Sequence, residues 1–229
     1  MPEDRNEILK KYFQSRVELG DKGLWYDSNK ITMKEKFLNK LGKEVNDCRK
    51  CPLGKQRLNA CFGSGDASAK LMFVGEGPGY NEDHQGEVFV GRAGKLLNRI
   101  IKGVFDLERE DVYITNIVKC HPMKDPSNPE KRGNDRPPAP DETQACISYL
   151  YSQIDIIKPQ VIVTLGAPAT KTLLDSTQGI TRLRGTVYEK KLGNTRVKIV
   201  PTYHPAYLLR SPSKKEETFK DTKLIKALL

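Results

Sequence analysis

Tryptophan, histidine and long apolar runs are what this chain of 229 residues has least of. It holds three histidines and one tryptophan; aromatic residues make up 7% and hydrophobic residues 37% of the whole. No stretch approaches the roughly 20 consecutive apolar residues that a membrane helix needs, so no such helix is expected. The opening MPEDRNEILKKYF has no apolar h-region, which argues against a cleaved secretory signal and for a cytosolic or nuclear-type compartment. In that compartment the five cysteines are not expected to pair as disulfides, which leaves metal binding or plain burial. The length suits one α/β domain with a real core, or two small ones, and the low hydrophobic share assigns some of that length to polar tails or loops.

Positive charge, by contrast, is in surplus: 39 Lys and Arg stand against 29 Asp and Glu, a net +10. Such a surplus suits a polyanionic partner, because each neutralised phosphate releases counterions. A merely basic protein has the same arithmetic, and charge alone leaves both readings standing.

Hydrophobic patterning divides the chain. Residues 1–45 read as a charged helical extension, in which Phe37, Leu38, Leu41 and Val45 share one helical face. Four short apolar runs then read as buried strands: Leu71–Val74, Val112–Thr115, Val161–Leu165 and Val197–Val200. Amphipathic helices are predicted near Ala93–Phe105, Asp141–Ile157 and Ala167–Leu174. This alternation implies an α/β fold with a mostly parallel sheet covered on both faces. Ligands of such sheets bind beyond the carboxyl ends of the strands, so Gly75–Gly79, Asn116, Gly166 and Tyr203–His204 should converge. Residues 123–140 form a Pro-, Asn- and charge-rich loop that is either a surface excursion or a DNA-facing one.

The motifs exclude more than they assert. Gly75-Glu76-Gly77-Pro78-Gly79 follows a strand, but Pro78 and the spacing break the dinucleotide fingerprint. Gly94-Lys95 lacks the upstream glycine of a phosphate loop and has Leu96 where Ser or Thr should ligate magnesium. A tight turn remains, bringing backbone N–H groups and the Glu76 carboxylate near a small ligand. Cys48-x-x-Cys51 with the single Cys120 and Cys146 suits either a zinc site or a four-thiolate iron–sulfur cluster, while Cys61 reads as a plain thiol. His204 follows the last strand at the ligand edge; His84 and His121 read as ordinary surface residues.

Several stretches together resemble the family 4 uracil-DNA glycosylases, the iron–sulfur type of archaea and thermophilic bacteria. They are CRKCPL (48–53), VGEGPGYNEDHQGEVFVGRAGKLL (74–97), YITNIVKC (113–120), RPPAPDE followed by Cys146, VIVTLGAPA (161–169) and PTYHPAYLLR (201–210). The resemblance implies a three-layer α/β/α fold with a central four-stranded, mostly parallel sheet, of the uracil-DNA glycosylase kind. It implies a glycosylase domain at 46–215, with 216–229 a C-terminal helix packed on it. The implied activity is hydrolysis of the N-glycosidic bond of deoxyuridine in single- or double-stranded DNA, by a monomer that leaves an abasic site; the alternative is a catalytically inactive DNA-binding relative. Cys48, Cys51, Cys120 and Cys146 would hold a [4Fe–4S] cluster.

By the same resemblance, Phe89 would stack on the flipped uracil and Asn116 would bond its edge. Glu82 would crowd the site of a thymine methyl, and Glu76 and Gly77 would border the base. His204 would donate to uracil O2 and, with Asn116, carry the catalysis. Another uracil glycosylase family has an aspartate where Gly77 stands, so no side chain at that position serves as a base here. Leu208 or Leu209 would wedge into the duplex with Arg210 near phosphate, although both leucines also read as core at the start of a helix. Residues 123–134 enlarge the loop between Cys120 and Cys146, the third and fourth implied cluster ligands, and Lys124, Lys131, Arg132 and Arg136 are candidates for added phosphate contacts.

Overall fold

A computed structural model describes residues 32–229. The expected helical arm therefore falls outside the described residues from 1 to 31. Its remainder lies in helix α1 (Met33–Asp47), where Leu38 and Val45 are buried. Phe37, expected on the same face, points outward instead, 52% exposed. The Lys34 ammonium donates to the carbonyl of Ile157 at 2.9 Å, tying α1 to the end of the long helix that closes one face of the sheet.

Among the described residues the sheet has six strands: β1 (Ser64–Gly65), β2 (Leu71–Gly75), β3 (Tyr113–Asn116), β4 (Val161–Leu165), β5 (Tyr188–Leu192) and β6 (Thr195–Thr202). Their spatial order is β1-β3-β2-β4-β6-β5. The expected four strands form its parallel centre, β3-β2-β4-β6. The two outer strands are additions to that expectation, and both pair antiparallel. β1 has only two residues and too little sequence to show a pattern. β5 is charged, and a turn at Gly193 and Asn194 returns it to β6. Gly193 has φ +59°, and the Asp155 carboxylate accepts from Asn194 N–H at 2.8 Å and from the Thr195 hydroxyl at 2.8 Å.

Strand pleating sends alternate side chains to opposite faces. Met72, Val74 and Ile162 enter one buried cluster, with Leu150 and Ile154 of α5 (Pro140–Ile157) and Leu173 of α6 (Ala167–Leu174). Leu71, Phe73, Val161 and Val163 enter the other, with Leu97 of α4 (Arg92–Ile100), Ile101, Phe105 and Ile225 of the C-terminal helix (Lys215–Lys226). Helices thus cover both faces, giving three layers. The helix expected over Ala93–Phe105 changes winding partway: after α4 the backbone continues as a π-turn, Ile101–Phe105, and stops at Asp106 in the left-handed conformation.

Between these elements lie the short helices Leu53–Gln56 (α2), Tyr80–Gln85 (α3), Ile180–Leu183 (α7) and Pro205–Arg210 (α8); the C-terminal helix is α9. Among the described residues no helix is long and apolar enough to cross a membrane.

Candidate active site

The carboxyl ends of β2, β3, β4 and β6 open onto one cavity of about 820 Å³. Its wall includes Glu76, Gly77, Glu82, Phe89, Asn116, Gly166 and His204, so the strand-end residues singled out from the sequence do meet. Arg210 lines it as well.

Parallel pairing sets Gly75 directly opposite Asn116. A Cβ on Gly75 would lie 2.4 Å from Asn116 Oδ1 and 2.6 Å from Phe89 Cζ, so only hydrogen fits beneath these two side chains. Gly77 is constrained in the same way by Val118 Cγ2 at 2.8 Å. Asn116 is 1% exposed, and its Oδ1 has no hydrogen-bond partner among the described residues. A buried amide oxygen left in this state is costly unless a ligand donor meets it. One Glu76 oxygen is likewise buried and unpartnered, and burial raises that carboxyl's pKa.

Phe89 has φ +51°, unusual for a residue with a side chain, so its loop must be held from outside. Two residues do this. Glu82 Oε1 accepts from Val90 N–H at 3.0 Å and Gly91 N–H at 2.9 Å. From the other side, Arg109 donates to the carbonyls of Val88 and Phe89 and to Glu87 Oε1 at 3.1 Å. Glu82 thus clamps the Phe89 loop besides bordering the cavity. Arg109 had no sequence signal, since it lies in a short 3₁₀ turn far along the chain from Phe89.

His204 precedes α8 and caps it, its Nδ1 accepting from Ala206 N–H at 3.1 Å. A neutral imidazole that accepts at Nδ1 carries its proton on Nε2, where it is a donor. Desolvation pulls the pKa of the ring down to about 4, and the Arg210 charge adds to this. The ring lies 5.8 Å from that of Phe89, tilted by 32°. In α8 itself, Leu208 is buried with Leu96 and Tyr203, which favours the core reading for that residue. Leu209 is half-buried and Arg210 exposed.

Two expectations about charged residues change. His121 is no surface residue: its ring is buried, with Nε2 2.7 Å from Asp135 Oδ1 and Nδ1 3.5 Å from Asp83 Oδ2. Despite desolvation, these two carboxylates raise its pKa to about 9. Asp83 also accepts from the N–H groups of Leu58 and Asn59. His121 therefore staples the enlarged loop to the segment beside the cavity. Arg136 forms a bidentate pair with Glu142 at 2.8 and 2.7 Å and donates to Met123 O at 2.9 Å, so its charge is satisfied within the protein. Arg132 lies over the Tyr80 ring at the cavity rim, 4.7 Å from its centroid. Lys124 and Lys131 are exposed.

Cys48, Cys51, Cys120 and Cys146 line one small cavity together with Lys119, Arg57 and Tyr149. Arg57 Nη1 donates to Cys120 Sγ at 2.9 Å, and the Lys119 N–H donates to Cys146. Such donors suit thiolates rather than neutral thiols. Among the described residues no three His, Cys, Asp or Glu side chains are gathered as donors to a single ion. Cys61 stands apart, its thiol donating to Glu82 O and its pKa raised by burial.

The model of the uracil DNA glycosylase superfamily matches residues 62–227, which include all six strands of the sheet and the walls of the cavity at their carboxyl ends. A Type-4 uracil-DNA glycosylase of Sulfurisphaera tokodaii is 44% identical over 195 residues, covering 83% of this chain and 84% of the relative. Those of Saccharolobus solfataricus and Thermotoga maritima are each 41% identical, covering 84% and 79% of this chain and 86% and 87% of the relatives. The chain belongs to the type-4 uracil-DNA glycosylases.

Proposed function

We propose that the protein hydrolyses the N-glycosidic bond of deoxyuridine in DNA, releasing uracil and leaving an abasic site for repair. The observation that carries this reading is the pairing, across one cavity, of a neutral His204 donor with the unpartnered Asn116 amide oxygen. Uracil offers an N3–H donor and two carbonyl acceptors. Asn116 meets the N3–H, and His204 Nε2–H meets O2. Cytosine has an acceptor at N3, which the Asn116 oxygen repels.

The base must leave the stack to reach this pocket, at a cost of a few kcal/mol, and stacking on Phe89 recovers about 1–3 kcal/mol. As the bond between N1 and C1′ breaks, its electron pair leaves with uracil and the sugar becomes cation-like. The hydrogen bond from His204 strengthens as charge builds on O2, the condition for lowering a barrier rather than tightening the ground state. Water then adds to C1′ and releases a proton to solvent. Glu82, clamped by two backbone N–H groups, is a rigid wall against a thymine methyl, and rigidity is what exclusion of a single methyl requires. Glu76 and Gly77 border the base. Leu209 of α8 is the wedge, with Arg210 beside it toward phosphate. The protein acts as a monomer in the cytoplasm.

The four cysteines are the ligands of a [4Fe–4S] cluster. Their arrangement around a common cavity, with N–H donors aimed at two of the sulfurs, suits a group larger than a single ion. When bound, the cluster supplies a structural cross-link among three distant segments, next to the strand that carries Asn116.

The test uses oligonucleotides bearing uracil, thymine or cytosine at one position, followed by alkaline cleavage. Uracil strands alone should break, and His204→Ala should lower kcat by about a hundredfold or more while leaving DNA affinity nearly intact. Equal loss of affinity and rate in that variant, or no product from any strand, would sink the assignment.

A further inference from the structure

Lys119 lies between the cysteine cavity and the strand that reads the base. It is fully buried, 1% exposed, and its ammonium donates to Thr115 Oγ1 at 2.6 Å, Asn116 O at 2.7 Å and Gln153 Oε1 at 2.7 Å. Gln153 is fixed in this orientation because its Nε2 donates to Phe62 O and the Tyr113 hydroxyl. All three acceptors are neutral, and among the described residues no carboxylate pairs with the ammonium. A cation removed from water persists only where an opposite charge lies close. The acidic groups near Lys119 are thiols, those of Cys146, Cys120 and Cys61. Two of these line the cysteine cavity, and so does Lys119 itself.

We propose that Lys119 is the buried counter-cation of the cluster-binding site. The proposal rests on the cluster reading above. Four thiolates outweigh the positive charge of the iron–sulfur core, so the whole is an anion, made more negative by one-electron reduction. A fixed positive charge beside it stabilises the assembly against loss of iron and favours the reduced form. The lysine acts through its charge, and packing alone would not move a potential in a set direction.

The experiment measures iron and sulfide content, the rate of iron release to a chelator and the cluster midpoint potential, on protein purified without air. Lys119→Met is neutral and similar in length; it should shift the potential to more negative values and release iron several-fold faster. Gln153→Glu puts a carboxylate against the same ammonium and should move the potential in the same direction with the lysine present. Lys119→Arg keeps the charge and should stay close to the unmodified protein.

Potentials and release rates in the Met and Glu variants that match the unmodified protein overturn the proposal. So does an Arg variant displaced as far as the Met one. If Lys119→Met does not fold by circular dichroism, Gln153→Glu decides alone. An unmodified chain free of iron and sulfide removes the cluster reading and this proposal together; an iron-loaded chain with unmoved potentials removes only the proposal.

Discussion

Gly75 carries no chemistry of its own, yet Asn116 and Phe89 both depend on its missing side chain. Gly75→Ala would drive a methyl to within 2.4 Å of Asn116 Oδ1 and 2.6 Å of Phe89 Cζ, and the side chains must yield. Such misplacement should cost about a hundredfold in kcat/KM, measured on uracil-containing single strands, with the far-ultraviolet circular dichroism unchanged. The His204 ring makes a prediction of a different kind. Its folded pKa, about 4, lies below the ordinary 6.5, so folding favours the neutral ring. The stabilisation from the neutral ring is therefore complete above about pH 6.5 and is lost as pH falls toward 4. Through this residue, kcat/KM should hold level down to about pH 5 and drop only near 4, whereas an acid limb centred near 6.5 would contradict the buried neutral donor.

Single residues were legible in the sequence where strand ends announced them. Asn116 and His204 follow apolar runs, and the rule for parallel sheets brings such positions together. His121 and Arg109 were not, because their meaning comes from partners elsewhere: Asp83 and Asp135 for one, the Val88–Phe89 backbone for the other.

Among the elements, the loop from residue 122 to 138 changes most from what its composition suggests. It is folded back on itself, with the Asn134 side chain buried and bonded to Asp125 and Asn128, and Met123 bridged to Asp135. Arg136 anchors its far end on Glu142, whose carboxylate also accepts from Ala139 N–H at 2.7 Å at the start of α5. Arg136→Ala would leave a nearly buried carboxylate without its cation. Because Arg136 is partly exposed, the cost falls below that of a fully buried pair, at about 2 kcal/mol. Thermal unfolding should then drop by roughly 4–8 °C in calorimetry. A composition rich in Pro, Asn and charge cannot reveal such internal bonding, since each bond joins positions the sequence shows only as polar. The edge strands were hidden for a related reason: β1 is too short for periodicity, and β5 is charged on its open side.

For the molecule as a whole, the net charge of +10 is the feature a long polyanion meets first. With Arg136 committed to Glu142, the enlarged loop has Lys124, Lys131 and Arg132 left to offer. Replacing all three by alanine should flatten the dependence of log affinity on log salt concentration, by about 0.9 for each duplex phosphate that is no longer neutralised. An unchanged slope in fluorescence anisotropy titrations would show that the loop does not touch the phosphates.

The sheet order also bears on how the protein behaves in a crowded solution. A parallel centre leaves hydrogen-bonding groups unsatisfied at each flank, where a neighbouring chain could add a strand. Among the described residues one flank ends in the two residues of β1, too short to template an addition. The other ends in β5, Tyr-Glu-Lys-Lys-Leu, whose Glu189 and Lys191 project outward and whose lysines repel a second copy of the same edge. The flanking strands thus act as guards against aggregation, and substituting Lys190 and Lys191 with valine or threonine would turn that flank into a site of fibrous self-association.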